Sequence, residues 1–404
     1  MALSRRSFVA GVATAAVARP FGLAAETAGR TGPYALPADR FDPWLRVDVA
    51  ALTRNVEVLS GLARQRPIMA VIKNNAYGLG LTTVAAALEP LPQVMGLAVV
   101  KTEAALALRD AGVRKPVLLM GLFAEEDVDE LVARDVSLAL CTDDAPRRAA
   151  RAAERVGKRV RAHLYLDTGM SRMGIPHHRA LPWLEEVNLP GIDVQGTFMG
   201  FTEEPEFDRE QLRRFESLAS AARERGIRLG ALHAASSNAV FHLPESHLDL
   251  VRPGMALYGA YPSDAGAEAA IAEIFPAVRL QARVVRVEQL RAGDSVSYGR
   301  NYVAERATWV ATIPVGHTDG YPREAVDGAR VLINDRTYPV IGAVSASHTI
   351  VELGAEPEAA IGDVVTLLGP DVPEIHPNAV ASVTGRSVYD VLMHLNPTLP
   401  KVVD

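Results

Sequence analysis

Cysteine is almost missing from the chain: Cys141 is the only one in 404 residues. That excludes an intrachain disulfide framework and a cysteine-built zinc finger. Basic charge is not in excess either. There are 42 Lys and Arg against 48 Asp and Glu, a net charge of −6 and a pI ≈ 6.0, so no basic nucleic-acid-binding surface is indicated. Aromatic residues make up only 6%, yet hydrophobic residues reach 49%. The chain can therefore bury a sizeable core, and wholesale disorder is excluded. No run of about eighteen uninterrupted apolar residues occurs, so no transmembrane helix is expected. The length suggests about two or three domains.

The N-terminus carries a charged start, Ser4-Arg5-Arg6-Ser7-Phe8, then an Ala/Val-rich run to Ala18 and small residues at Gly22-Leu23-Ala24. This order is that of a signal peptide. The arginine pair followed by Phe8 resembles a twin-arginine export signal, with an ordinary secretory signal or an N-terminal anchor as the alternatives. Residues 1–24 are expected to be that signal and 25–42 a linker. Cleavage near Ala24 would remove Arg5, Arg6 and Arg19 and no acid. The expected location is outside the cytoplasm, in the periplasm, with no membrane attachment after processing.

From about residue 43 to 275, short apolar runs alternate with helix-like stretches. The runs begin near Met69, Val94, Val117, Val136, Val160, Ile192, Leu229 and Leu248. Amphipathic stretches such as 145–156 and 208–225 lie between them. Eightfold alternation predicts a parallel sheet closed as a (β/α)8 TIM-like barrel. Helical periodicity fades after the fifth and eighth runs, and pattern alone leaves a doubly wound open sheet possible. From 276 to 404 the period changes to two, in VRLQARVVRVEQL, TWVATIPV, ARVLIND and HTIVELG. This half is read as an all-β domain with a short helix near 388–395.

Barrels place chemistry at the carboxyl ends of their strands. Lys73 directly follows the first run, Arg172 the fifth, His233 ends the seventh and Arg252 the eighth. The loops after the last two runs carry Ser237 and the Gly254-Met255 backbone, where barrels often hold phosphate. Each residue alone has a bland explanation, since a strand-end lysine is usually just solvated. Together on one rim, a lysine and a phosphate cradle suit a Schiff-base cofactor such as pyridoxal 5'-phosphate.

The segment AVIKNNAYGLG resembles the cofactor-lysine motif of alanine racemases. DTGMSRMGI, HAASSNAVF, VRPGMALYG, VSYGRNY and IPVGHTDGYPR match further blocks of that family in order, from about residue 45 to the C-terminus. The resemblance implies that Lys73 holds pyridoxal 5'-phosphate through an imine and acts as one of two bases. It makes Tyr298 the opposing base, donated across a homodimer. Tyr77, Ser237, Gly254, Met255 and Tyr389 match phosphate-binding positions. His233 matches a residue packed on the cofactor ring, Arg252 the partner of the pyridine nitrogen, and Arg172 a residue near the substrate carboxylate. Two bases are the natural solution for racemisation, because the α-proton leaves one face and returns on the other. Both lysine and tyrosine titrate near ~10 when free, so burial beside cations is expected to lower each. An arginine keeps its proton and leaves the pyridine nitrogen without one, which would limit transamination.

Four places depart from the family pattern. Tyr165 stands where many members have a lysine that becomes carbamylated. Gly200 stands where a histidine links the tyrosine base to the ring arginine. His317 replaces a tyrosine. Val344-Ser345-Ala346-Ser347-His348 replaces a segment whose Met-Asp pair contacts the substrate carboxylate and narrows the pocket mouth. Small residues such as Ala346 would widen the substrate pocket, in keeping with exported broad-specificity amino-acid racemases. The competing readings are a decarboxylase on the same barrel, a non-catalytic pyridoxal-phosphate-binding protein and a zinc hydrolase using His163, His177 and His178, whose spacing matches no ligand motif. No metal is expected, and the partners are a small amino acid and a second copy of the chain.

Overall fold

The computed structural model describes residues 40–404 apart from Asn188. The Arg5-Arg6 pair, the cleavage site near Ala24 and nearly all of the 25–42 linker lie outside the described residues.

Seven of the eight apolar runs form strands of one parallel sheet: Ile68–Val71, Val94–Val99, Val117–Leu119, Val136–Leu140, Val160–Asp167, Ile192–Phe198 and Ala231–His233, each paired to the next. Continuous apolar runs suit this sheet because both of its faces are covered. Ile68–Val71 and Val136–Leu140 are buried at every position. The eighth run departs from expectation, making only a single bridge, Val251 to Ile68. Pro253 has no N–H to extend a ladder, and the Leu232 N–H donates instead to the Asp249 carboxylate, at 2.7 Å. Backbone bonds still close the ring. Met69 N–H donates to Val251 O and Val71 N–H to Pro253 O, both at 2.9 Å, while Arg252 N–H reaches Ala235 O at 2.8 Å. The sheet is thus a closed barrel, and the open doubly wound alternative falls.

Helices cover the barrel where the amphipathic stretches predict them. Ala145–Val156 buries Ala149, Ala152 and Ala153, starts with Pro146 in its first turn and stops at Gly157, whose φ is +68°. Pro205–Glu224 is capped by Glu204, whose carboxylate accepts from the Phe207 N–H at 2.7 Å; it buries Leu212, Phe215, Ala219 and Ala222. After the fifth and eighth runs, where periodicity fades, the helices His177–Glu186 and Ala265–Ile271 still form.

The second half builds a nine-stranded sheet, antiparallel except at one pair. VRLQARVVRVEQL supplies two of its strands, Val278–Arg283 and Arg286–Leu290. One strand comes from outside the 276–404 span. Trp44–Val47, within the stretch assigned to the barrel, pairs antiparallel with Val278–Arg283 and parallel with Lys401–Val403. A four-residue strand carries no local mark of which sheet it will join, so only the long-range pairing reveals it. The helix near 388–395 is present as Val388–Met393. It lies against the barrel mouth: a Cβ on Gly78 would meet Leu392 O at 2.4 Å.

Candidate active site

Lys73 opens a turn at the carboxyl end of the first barrel strand. The four residues that follow, Asn74, Asn75, Ala76 and Tyr77, all have φ between +52° and +55°. A left-handed turn costs an L-residue with a Cβ roughly 1–2 kcal/mol per position. It persists because packing over-determines it, as strained backbone at reactive sites commonly does. Ala76 N–H donates to Ile72 O, Leu81 N–H donates to Asn75 Oδ1 at 2.9 Å, and Ala76 is fully buried. The turn carries Tyr77 inward, so that Lys73 Nζ stands 6.0 Å from the Tyr77 ring centre. Burial, then the nearby Arg172 charge, pushes the Lys73 ammonium below its ordinary range, as expected.

Across from Lys73, the loops after the seventh and eighth runs meet. Ser237 Oγ accepts from Gly254 N–H at 2.9 Å and from Ala256 N–H at 3.2 Å. Gly254 has no room for a side chain, since a Cβ there would lie 2.3 Å from Tyr77 Oη. Tyr77 packs on Tyr258 at 4.8 Å between ring centres, with Tyr389 at 6.3 Å. The buried Ser236 Oγ has no hydrogen-bond partner. A glycine backbone, two tyrosines, a serine pair and an unsatisfied buried hydroxyl form a cradle of donors that fits a phosphate. Met255 follows Gly254 and is buried. These residues, with Lys73, are the arrangement that pyridoxal 5'-phosphate needs.

Arg252 sits beneath the mouth. Its Nη1 donates to His233 Nδ1 at 2.9 Å and its Nη2 to Met199 O at 2.7 Å. Arginine only donates, so His233 Nδ1 must be the lone-pair nitrogen. His233 Nε2 then carries the proton and donates to His163 Nδ1 at 2.9 Å. The tautomers of both rings follow from that one-way chain. Burial drives Arg252 down to about 10, which leaves it charged near neutrality. Burial, then the Arg252 charge, drives His233 well below the ordinary imidazole range and His163 to about 4, so both are neutral. His233 also stacks on Phe198 at 5.1 Å and 16°.

Lys73, Tyr77, His233, Ser237, Arg252, Gly254, Met255 and Tyr389 therefore gather at one mouth. Arg172 joins them as an exposed side chain whose charge reaches Lys73. Tyr298 and Ala346 belong to the other domain. Tyr298 is 77% exposed, on a turn where Ser297 and Arg300 have positive φ; its own chain does not supply the burial expected of it. Ala346 is exposed, and its carbonyl accepts from Thr318 Oγ1 at 2.6 Å. Two residues escaped the sequence reading. The sequence offers His163 only as a zinc ligand; in the structure it faces His233, while His177 and His178 pair with each other on a helix elsewhere. Among the described residues no group of His, Cys, Asp and Glu gathers to hold a metal. Glu203, on a loop after the strand Ile192–Phe198, lies within electrostatic reach of Lys73, Arg172, Tyr77 and Tyr389, and burial raises its carboxyl. A lone loop glutamate carries no pattern that would single it out.

Residues 47–262 match the N-terminal domain of alanine racemase, and residues 277–403 match its C-terminal domain. The chain belongs to the alanine racemase family. It is 34% identical to an alanine racemase of Carboxydothermus hydrogenoformans and 33% identical to one of Desulforamulus reducens, each comparison covering 89% of this chain and 98% of the relative. Among solved structures, an alanine racemase of Clostridium difficile 630 superposes with a TM-score of 0.83 at 26% identity, over 90% of this chain and 96% of that one. The alanine racemase of Streptomyces lavendulae gives 0.83 at 28%, over 92% and 98%. The match spans both halves of the chain, so the barrel and the strand domain are inherited together as the alanine racemase fold.

Proposed function

We propose that the protein is a pyridoxal-5'-phosphate-dependent isomerase that interconverts L- and D-alanine. The observation that carries this reading is the half-buried Lys73 amine 6.0 Å from the ring centre of Tyr77, whose hydroxyl borders Gly254 in the cradle built with Ser237. Lys73 Nζ would hold the cofactor; Tyr77, Ser237, Gly254, Met255 and Tyr389 would hold its phosphate, with Arg252 at the pyridine nitrogen and His233 bracing that arginine. When bound, the cofactor supplies an electron sink that makes the α-proton of an amino acid removable. Lys73 Nζ, with its proton affinity lowered, takes or returns that proton on one face. Tyr298 Oη serves the opposite face. Its 77% exposure leaves it free to enter a second copy's site, which supports a homodimer with shared sites. Arg172 would orient the substrate carboxylate, and charged Arg252 would keep a proton off the pyridine nitrogen. Conversion of L-alanine to D-alanine by the purified protein, together with borohydride trapping of the cofactor on the Lys73 peptide, tests the assignment. A colourless protein that leaves L-alanine unchanged would refute it.

A broader substrate range is favoured by one observation. Ala346 is small and exposed, where the family pattern has a side chain that narrows the pocket mouth. A panel of L-amino acids in which only alanine loses optical activity would remove that extension. The Arg5-Arg6 segment supports export of the folded, cofactor-loaded chain; retention of the tagged full-length chain in the cytoplasm would contradict it.

A further inference from the structure

The turn that presents Lys73 is held from two sides. On the barrel side, Gly80 N–H donates to Asn75 O at 3.0 Å and Leu79 N–H to Ala76 O at 3.1 Å. On the other side lies the end of the helix Val388–Met393. A Cβ on Gly78 would meet Leu392 O at 2.4 Å and Leu395 Cβ at 3.4 Å. Asn74 Nδ2 donates to Met393 Sδ at 3.4 Å, and Tyr389 stands 6.3 Å from Tyr77 between ring centres. The far side of the same helix end is equally tight, since a Cβ on Gly320 would meet His394 O at 2.4 Å. Gly78 and Gly320 have φ of +95° and +100°, so both positions need glycine for conformation as well as for room. A helix of six residues does not hold its place by propensity. This one is fixed by Ser387, whose Oγ accepts from Tyr389 N–H at 3.1 Å, by the burial of Val388, Val391 and Leu392, and by Asn396 N–H donating to Asp319 O at 3.1 Å.

We propose that Leu392 and Met393 are positioning residues for Lys73: wedged between Gly78 of the barrel and Gly320 of the second domain, they hold the left-handed turn from outside and fix where the lysine amine points. Four successive residues of that turn resist their conformation, and Ala76 and Tyr77 gain nothing local from it. The barrel's own bonds grip the turn at Asn75 and Ala76. Asn74, next to Lys73, is exposed and has its side-chain bond with Met393. Without the outer support the turn relaxes toward ordinary conformations, and Lys73, its first residue, swings with it. Burial is also what lowers the proton affinity of Lys73, so a looser turn returns the amine toward water. The inference rests on the reading of Lys73 as the cofactor-bearing lysine; the contact between helix and turn stands apart from activity.

Met393→Ala in the full-length, cofactor-loaded protein tests it, with Met393→Leu as the conservative variant. Met393→Ala removes the sulfur and its packing together. Backbone hydrogen exchange in the segment 74–81 is expected to quicken roughly fivefold, while the strand Val136–Leu140, buried at every position elsewhere in the barrel, keeps its parent rate. Hydroxylamine competes with Lys73 for the cofactor aldehyde: its nitrogen replaces the lysine nitrogen, giving an oxime and freeing the amine. Release of the cofactor as that oxime should quicken by about the same factor. The misplaced amine is expected to lower kcat roughly tenfold with KM little changed. Met393→Leu should recover most of each effect, because it keeps the packing. Asn74→Ala added to Met393→Ala should change little further, since both remove one contact. Exchange in the turn and cofactor release at parent rates would overturn the proposal. So would equal acceleration in the turn and in the strand, which is what a general loss of stability gives. A wild-type protein that carries no cofactor on Lys73 would bring down the cofactor reading instead, and the exchange comparison would still decide the contact.

Discussion

Gly254→Ala puts the phosphate cradle to a quantitative test. The added methyl would lie 2.3 Å from Tyr77 Oη and 2.9 Å from its Cζ, where ordinary contact begins at 3.4 Å. Tyr77 or the loop must therefore retreat by about an ångström. Tyr77 cannot retreat freely, because it is buried against Tyr258 and tied to a left-handed turn. Overpacking of this kind costs about 1–3 kcal/mol. Displacing the Tyr77 hydroxyl also removes a donor to an anion, worth about 1.5–3 kcal/mol, or roughly ten- to hundredfold in cofactor affinity. Absorbance titration of cofactor-free protein with pyridoxal 5'-phosphate reads the second effect, and urea unfolding of the same preparation reads the first. A variant that binds the cofactor as tightly as the parent and unfolds at the same urea concentration would refute the cradle.

Three further outcomes follow from the same geometry. His163 is neutral in the fold, with a pKa of about 4 against 6.5 for a free imidazole, so between those values only the unfolded chain takes up the proton. Stability is complete above about pH 6.5 and falls toward pH 4 by about 3 kcal/mol on account of this residue; His163→Asn, whose amide oxygen can still accept from His233, should flatten that acid limb in urea titrations at successive pH values. Lys73 should react with an amine-modifying reagent in cofactor-free protein with an inflection below pH 10.5, and Arg172→Ala should move that inflection up, since the arginine charge helps to lower it. Gly61 lies in the helix Val49–Leu62 with nothing within 4 Å of a Cβ placed there, so Gly61→Ala should stabilise by up to about 1 kcal/mol in denaturant melts without touching activity.

What the sequence disclosed and what it hid divide along physical lines. Unalternating apolar runs marked seven barrel strands because burial on both faces needs nothing but side-chain character. The eighth failed as a strand because Pro253 lacks the donor that continues a ladder, and Trp44–Val47 joined the other sheet through pairing some 230 residues away in the chain. The helix Pro377–Thr384 went unread because its cap is the His376 side chain, an unusual acceptor for the first turn. The cradle residues and their shared rim were legible from ordered motifs and strand-end positions, but the packing of Tyr77 on Tyr258 was not. Nor was the left-handed turn: Asn74 and Asn75 tolerate positive φ, whereas Ala76 and Tyr77 have no intrinsic reason to adopt it and are held by packing. The His163–His233–Arg252 chain is invisible in one dimension because its members lie on three separate segments.

The central claim is that each site combines Lys73 of one copy with Tyr298 of another. Subunit complementation tests it most directly. Lys73→Ala and Tyr298→Phe chains, each inactive by itself, are co-expressed and assayed for L-alanine racemisation. Random pairing puts an intact Lys73–Tyr298 combination into one site of every mixed dimer, so about a quarter of the wild-type activity should return. A mixture as inactive as its two parents would contradict the account.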